Sequence, residues 1–375
     1  MSSANQNTSS GDRINSTLPA SLSMDLAALD TFYSVFGVSI CVVGLIANMA
    51  VVLVYITHRR LRTKINGFLV SLAVANLLLT GISLPLEMEW HIRSEFIHSV
   101  VVCELMYTIY FLTLTSSSLN LLVISIYRYL SIACPFFMKR VTSFHVLLAI
   151  AAVWVFSGVT ALLPLMGWRS DPSTIYEKTC DFSFEFNFIV FVLTVNWLIP
   201  AVLVFVFYGL IFRIARIHAI KILKNQVLSE QEKTRSPLFK GAKTLAKIAA
   251  VYLICWFPYV IEILIVFSGV AYPPPKLVHY TFVFLCYASA AINPFLYAGL
   301  CRDFREVFRK CAAKTCNQLY AVIRRFANSC RRIAAALSAD RRRNSGQNMG
   351  RRLGRTRTTS GSSSVYHQNT VGTVV

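Results

Sequence analysis

Cys103 and Arg128 stand 25 positions apart in an apolar stretch of helical character. A helix of that length rises about 37 Å, more than the roughly 30 Å hydrocarbon layer of a bilayer. The thiol can enter a disulfide at one membrane face. The guanidinium offers a planar fork of N–H donors at the other. Between them Tyr107, Tyr110, Phe111 and Leu114 recur at helical spacing on one side. Alone, the pattern fits a packed or lipid-facing helix equally well.

Other reactive residue types form no constellation. The seven histidines are scattered, and neither HExxH nor GxSxG occurs. The ten cysteines include no CxxC pair, which argues against a zinc module. No enzyme chemistry, cofactor or metal is expected. A net charge of +20 would point to nucleic acid in a soluble chain. Here 55% of residues are hydrophobic and the mean hydropathy is +0.56. The cations fall between apolar runs, so no nucleic-acid partner is expected.

Seven runs are long enough to span a bilayer: 32–57, 66–88, 100–133, 144–166, 187–212, 242–268 and 277–300. The gap after the first carries Arg59, Arg60, Arg62 and Lys64, and the gap after the third carries Lys139 and Arg140. The gap after the fifth carries Arg213, Arg216, Lys221, Lys224, Lys233, Arg235 and Lys240. The intervening gaps mix both signs. The positive-inside rule then puts the N-terminus outside and the C-terminus in the cytosol. Cys103 and Cys180 lie in or beside outer gaps, where disulfides persist. Cys41, Cys255 and Cys286 lie within spans as small apolar filler.

Four segments are expected: an extracellular tail (1–31), a transmembrane domain (32–300), a membrane-surface helix (301–312) and a basic, largely disordered cytoplasmic tail (313–375). No cleavable signal peptide is read in the first segment. Asn7 and Asn15 there open glycosylation triplets. Within the spans, Asn48, Asn76 and Asn293, with Ser117, are expected to form a polar core, because lone amides in lipid need partners. Pro85 is expected to kink the end of the second span near Glu87 and Glu89, which either line a ligand entrance or are solvated at the outer rim; in the first case Glu87 and Glu262 would suit a cationic or peptide ligand. Pro200, Pro258 and Pro294 put bends in three more spans, a property of a switch rather than an anchor. Phe304 and Phe308 stand four apart beside Arg305 and Arg309, as in an interfacial helix. Cys311 and Cys316 follow as palmitoylation candidates. The stretch 319–338 is basic and helical in pattern, suited to anionic lipid or calmodulin. Ser345, Thr358, Thr359 and Ser360 are phosphorylation candidates. The last residues, Thr373-Val374-Val375, suit a PDZ domain that adds a strand.

From about residue 32 to 312 the chain resembles the rhodopsin-like (class A) G-protein-coupled receptors. The likeness rests on Gly44–Asn48, the Leu-Ala-x-x-Asn run ending at Asn76, Cys103 with Cys180, Tyr127-Arg128-Tyr129 and Trp154. It continues through Pro200 with Tyr208, Cys255-Trp256-Phe257-Pro258, and Asn293-Pro294-Phe295-Leu296-Tyr297. The resemblance implies an all-α bundle of seven transmembrane helices with a short eighth helix, in the plasma membrane. It implies an extracellular small-molecule or peptide ligand, a heterotrimeric G protein and arrestin as partners. Arg128 would meet the G protein, with Tyr208 and Tyr297 reorganising around it; Phe136 would pack into it. Tyr107, Tyr110, Phe111, Leu114, Phe182, Trp256, Tyr259, Ile263 and Tyr287 would line the ligand pocket.

The chain departs from the family pattern at several points. Tyr127 stands where most relatives have an acid, and Asn76 where most have Asp. Leu238 stands where some place a Glu that restrains the arginine. Ser118 and Tyr252 replace a bulky apolar pair. Aminergic relatives carry Asp at the position of Tyr110, opsins carry lysine at Tyr287, and adenosine receptors carry Asn at Ile263. Raised basal signalling and weak sodium sensitivity are therefore expected. The rival class, a transporter, would favour internal repeats, and none is visible.

Overall fold

The computed structural model describes residues 20–93, 95–169, 175–176, 179–180, 184–225, 230–269, 274–301 and 304–310, and beyond these only 313, 324–325 and 328–329. The chain separates into two units, Met1–Phe308 and Arg309–Val375, and all seven spans lie in the first.

Among the described residues seven helices are long and apolar enough to cross a membrane: Ala28–Thr57, Lys64–Arg93, Val100–Ala133, Ser143–Leu162, Phe186–Ile220, Gly241–Phe267 and Lys276–Gly299. Their order and number match the apolar runs. A bilayer allows little else, since every backbone N–H and C=O must be satisfied within its own helix. The third span is the axis of the bundle and packs against the second, fourth, fifth and sixth.

Four boundaries differ from the sequence reading by four residues or more: the first span starts at Ala28, and the second, fourth and fifth end at Arg93, Leu162 and Ile220. The fourth span ends at Leu162, short of 166. Its last carbonyls are taken up by a turn in which Trp168 N–H reaches back to Leu163 and Gly167 sits at φ 112°. Only glycine adopts that backbone freely. The second span runs past Pro85 to Arg93, where a kinked end was expected. The proline is absorbed by a wide turn at Leu79–Ser83, in which Leu84 N–H donates to the Leu79 carbonyl five residues back. The fifth span does the same before Pro200: Ile199 N–H donates to Thr194 across a wide turn at Val192–Leu198. Proline lacks an N–H, and one extra residue in the turn lets the helix pass it.

Polar side chains tie the spans together. Trp154 Nε1 donates to Ser71 Oγ at 3.0 Å, joining the fourth span to the second. Ser83 Oγ donates to the Met106 carbonyl at 3.1 Å, joining the second to the third. Gly44 lets the first span lie against Thr80: a Cβ there would fall 2.7 Å from Thr80 Cγ2.

At one end a two-strand hairpin, Ile175–Tyr176 with Thr179–Cys180, pairs antiparallel in the register Ile175↔Cys180. Cys180 forms a disulfide with Cys103 at the start of the third span. Arg169 Nη1 lies 3.0 Å from Glu104 Oε1 and pins the same loop to the same helix. At the other end, residues 135–140 form a short helix opened by Pro135, and residues 304–310 form another. Phe304 and Val307 are buried on its inner side, and Arg60 pairs with Glu306 at 3.0 Å.

The disulfide closes a loop of 77 residues. Chain entropy assigns such a closure about 4 kcal/mol. The double variant Cys103→Ala/Cys180→Ala is expected to lower the unfolding midpoint in detergent by several degrees. A midpoint equal to the parent's would show that the hairpin is held by other contacts.

Candidate functional site

Beside the disulfide the bundle opens into a cavity of about 300 Å³. Tyr107, Tyr110, Tyr259 and Tyr287 line it, as the sequence led one to expect. They are joined by Ser83, Glu87, Trp90, His91, Met106, His279, Val283 and Cys286. Each helix presents one stripe: Ser83, Glu87 and His91 are four apart on the second span, and His279, Val283 and Tyr287 are four apart on the seventh. That spacing was available in the sequence. It went unused on the second span, where a kink was expected at Pro85.

Glu87 lies inside the cavity rather than on the outer rim. Tyr33 Oη donates to Glu87 Oε1 at 3.1 Å, and Tyr287 Oη donates to Oε2. The carboxylate is thus held between the first, second and seventh spans. Glu89 does sit at the rim, with Arg93 Nε at 2.8 Å and His98 Nε2 at 2.9 Å. Glu262 is buried and pairs with His279 Nδ1 at 2.6 Å, joining the sixth span to the seventh.

Four residues expected in the pocket do not line this cavity. Phe111 turns to the fifth-span side, where its ring meets Phe184 at 5.1 Å and Phe188 at 5.4 Å; that aromatic stack fills the space. Leu114 is buried, one turn further along the third span. Ile263 is half-buried on the sixth span and away from the lining. Trp256 forms the layer beneath, its ring 6.3 Å from Tyr110 and 6.4 Å from Tyr259, with Nε1 donating to Ser289 Oγ at 3.1 Å. Phe182 lies outside the described residues, as do Asn7, Asn15, Cys311, Cys316, Ser345, Thr358, Thr359 and Ser360.

Below the tryptophan lies a polar seam. Asn48 Nδ2 donates to the Gly44 carbonyl at 2.9 Å and the Ala290 carbonyl at 3.1 Å. Asn76 Nδ2 donates to Asn48 Oδ1 at 3.3 Å. Three spans are thereby joined through two amides. Asn293 and Ser117 are buried as expected, but no direct hydrogen bond joins either to this pair among the described residues. Pro294 is buried inside the seventh helix.

At the far end of the third span, Arg128 is half-buried and makes no ion pair with any described residue. Its Nε is enclosed and has no hydrogen-bond partner there. The guanidinium lies against Gly241 at the start of the sixth span, where a Cβ would fall 3.1 Å from Nη1. The hydroxyls of Tyr208 and Tyr297 are likewise buried without partners among the described residues. Tyr127 turns away and meets Phe68 edge-on at 5.9 Å. Phe136 is 72% exposed on the short helix, with Lys139 Nζ 5.4 Å over its ring.

Comparison with known proteins gives a single family. The profile of the 7 transmembrane receptor (rhodopsin family) matches residues 47–297. The chain belongs to the rhodopsin family of seven-transmembrane receptors. That is a receptor family, not an enzyme family. The histamine H2 receptor of Cavia porcellus is 30% identical over 79% of this receptor and 83% of its own length. The alpha-1A adrenergic receptor of Oryzias latipes is 27% identical over 73% of this receptor, which spans 65% of that relative's length. A probable G-protein coupled receptor of Amphibalanus amphitrite is 28% identical over 72% of this receptor and 87% of its own length.

The seam of this receptor contains amides and no carboxylate. A sodium ion there would gain no charge neutralisation. Replacing sodium by N-methylglucamine is expected to change agonist affinity by less than roughly twofold, below about 0.5 kcal/mol. A larger shift would place a sodium site in the seam.

Proposed function

We propose that this receptor sits in the plasma membrane with its N-terminus outside, binds a small organic ligand in the tyrosine-lined cavity and activates a heterotrimeric G protein at the Arg128 end. The supporting observation is Arg128 itself: a guanidinium with no counter-charge among the described residues, resting on the bare backbone of Gly241. A cation in that position donates to carbonyls at the end of an incoming helix once the sixth span moves aside. Tyr208 and Tyr297, whose hydroxyls lack partners in this arrangement, would close on it in the other. Phe136 would supply the apolar contact to the G protein. Ligand and G protein then bias one equilibrium from opposite ends.

Relatives named for histamine and for adrenergic ligands support a small organic ligand of the amine branch over a peptide. The basic gaps support a cytosolic C-terminus. In this reading the extracellular tail 1–31 carries glycans at Asn7 and Asn15. The surface helix is palmitoylated at Cys311 or Cys316. The tail 313–375 recruits arrestin after phosphorylation at Ser345, Thr358, Thr359 or Ser360, and a PDZ protein through its last residues. Transport would need a span broken at mid-depth; the seven described spans stay helical past their prolines.

The test is nucleotide exchange on co-expressed G proteins without ligand. Basal exchange above mock cells is expected, and Arg128→Ala is expected to remove it. Tyr127→Asp, which supplies a carboxylate beside the arginine, is expected to lower it. Gly241→Leu wedges the sixth span from the guanidinium and is expected to raise it several-fold, about 1 kcal/mol of bias. Basal exchange equal to mock cells for the parent and for Gly241→Leu alike would contradict the proposal.

A further inference from the structure

We infer that the cavity takes an organic ammonium and that Glu87, on the second span, is the residue that anchors it. This rests on the receptor reading and names the ligand chemistry of the same site.

Glu87 is the only carboxylate lining the cavity, and no lysine or arginine lines it, among the described residues. The two neighbouring acids already have basic partners: Glu89 has Arg93 and His98, and Glu262 has His279. Glu87 has phenols instead. Tyr33 and Tyr287 donate to its two oxygens, and both donors are neutral. They fix the direction of the carboxylate without cancelling its charge. His91, one turn away, places Nδ1 2.8 Å from the Glu87 backbone carbonyl rather than from the carboxylate. An ionised carboxylate has about four lone-pair sites, so two phenols leave room for a ligand's N–H donors. A negative charge in a low-dielectric cleft is costly unless a cation meets it.

The walls select the kind of cation. Tyr107, Tyr110, Tyr259 and Trp90 surround the space. Aromatic faces attract ammonium groups, most strongly when both are desolvated. A volume near 300 Å³ is at the small end for ligand cavities. It suits one aromatic ring with a short ammonium chain and excludes a folded peptide. Tyr110 provides a phenol from the third span, so the anchoring charge enters from the second. An amide at position 87 would keep the local geometry, because a phenol oxygen can accept from the amide N–H as readily as it donates.

The experiment uses the full-length chain in cells with an energy-transfer reporter of G-protein activation. The probes are 2-phenylethylamine, tyramine and phenyltrimethylammonium. The controls are the neutral 3-phenyl-1-propanol and the anionic 3-phenylpropionate. Surface expression of every variant is measured by an N-terminal epitope. At least one ammonium probe is expected to activate the parent, and neither control. Glu87→Gln is expected to raise its half-maximal concentration about 100-fold, within the range for removing one partner of a desolvated charge pair. Glu87→Asp is expected to cost about tenfold or less. Tyr110→Asp on the Glu87→Gln background returns a carboxylate to the same cavity and is expected to recover part of the response, which a merely misfolded variant would not.

An ammonium response unchanged by Glu87→Gln, or matched by the alcohol, overturns the anchor and leaves the receptor reading standing. So does silence to every ammonium probe at millimolar concentration alongside Arg128-dependent basal exchange. Silence to all probes with no Arg128-dependent exchange counts against both readings.

Discussion

A charge inside a bilayer must be sheltered by protein, and this bundle shelters one at each end of a single helix. Glu87 is held in a cage of tyrosines beside the outer half of the third span, and Arg128 projects from that helix's last turns. Among the described residues Glu87 pairs with no lysine or arginine and Arg128 with no carboxylate. Intramembrane ionisable groups are expensive, and uncompensated ones persist where a partner arrives from outside. The arrangement of the other spans follows from keeping these two groups enclosed and addressable. The third span takes part in both sites, lending Met106, Tyr107 and Tyr110 to the cavity and carrying Arg128 at its other end. The disulfide and the Arg169–Glu104 pair fix its first turn, so motion is left to the helices around it.

Those neighbours are built unevenly. The first, second and seventh spans are joined through amides at mid-depth and through Glu87 above, and they form one polar-linked block. The fourth is tied to the second by one indole. The fifth carries a wide turn before Pro200, and the sixth begins at a glycine packed on Arg128. Contacts across the Arg128–Gly241 junction are those of a flexible side-chain tip against backbone, which separate at low cost. The polar-linked block has no such junction. In the proposed switch, movement would be concentrated where the sixth span leaves the third, beside the unpartnered hydroxyls of Tyr208 and Tyr297.

Much of this was legible in the residues. Seven apolar runs gave the number and order of the helices, because the bilayer leaves the backbone almost no alternative. Tyr107 and Tyr110 followed from helical spacing on the third span, Tyr259 and Tyr287 only from the family resemblance. The misplaced residues share a cause. Phe111 and Leu114 were assigned by spacing along the third span and Ile263 by the resemblance, while the direction a side chain takes is set by tertiary packing, as where Phe184 and Phe188 take up the Phe111 ring. Glu87 was left between a ligand entrance and a solvated rim because a kink was expected at Pro85. A five-residue reach from Leu84 to Leu79 carries the second span through it, and that depends on packing against the first and third spans. Tyr33 could not have been found from periodicity, since its meaning lies in a contact 54 residues away.

The central claim is that the sixth span rests on Arg128 and moves off it when a G protein binds. Pulsed electron resonance between spin labels at Lys139 and Lys243, both exposed at the Arg128 end, measures that distance in the full-length chain. The account predicts a single short distance when the receptor is alone with Tyr127→Asp, and a distance longer by several ångströms when nucleotide-free G protein is bound to the parent. One unchanged distance in both states would contradict it.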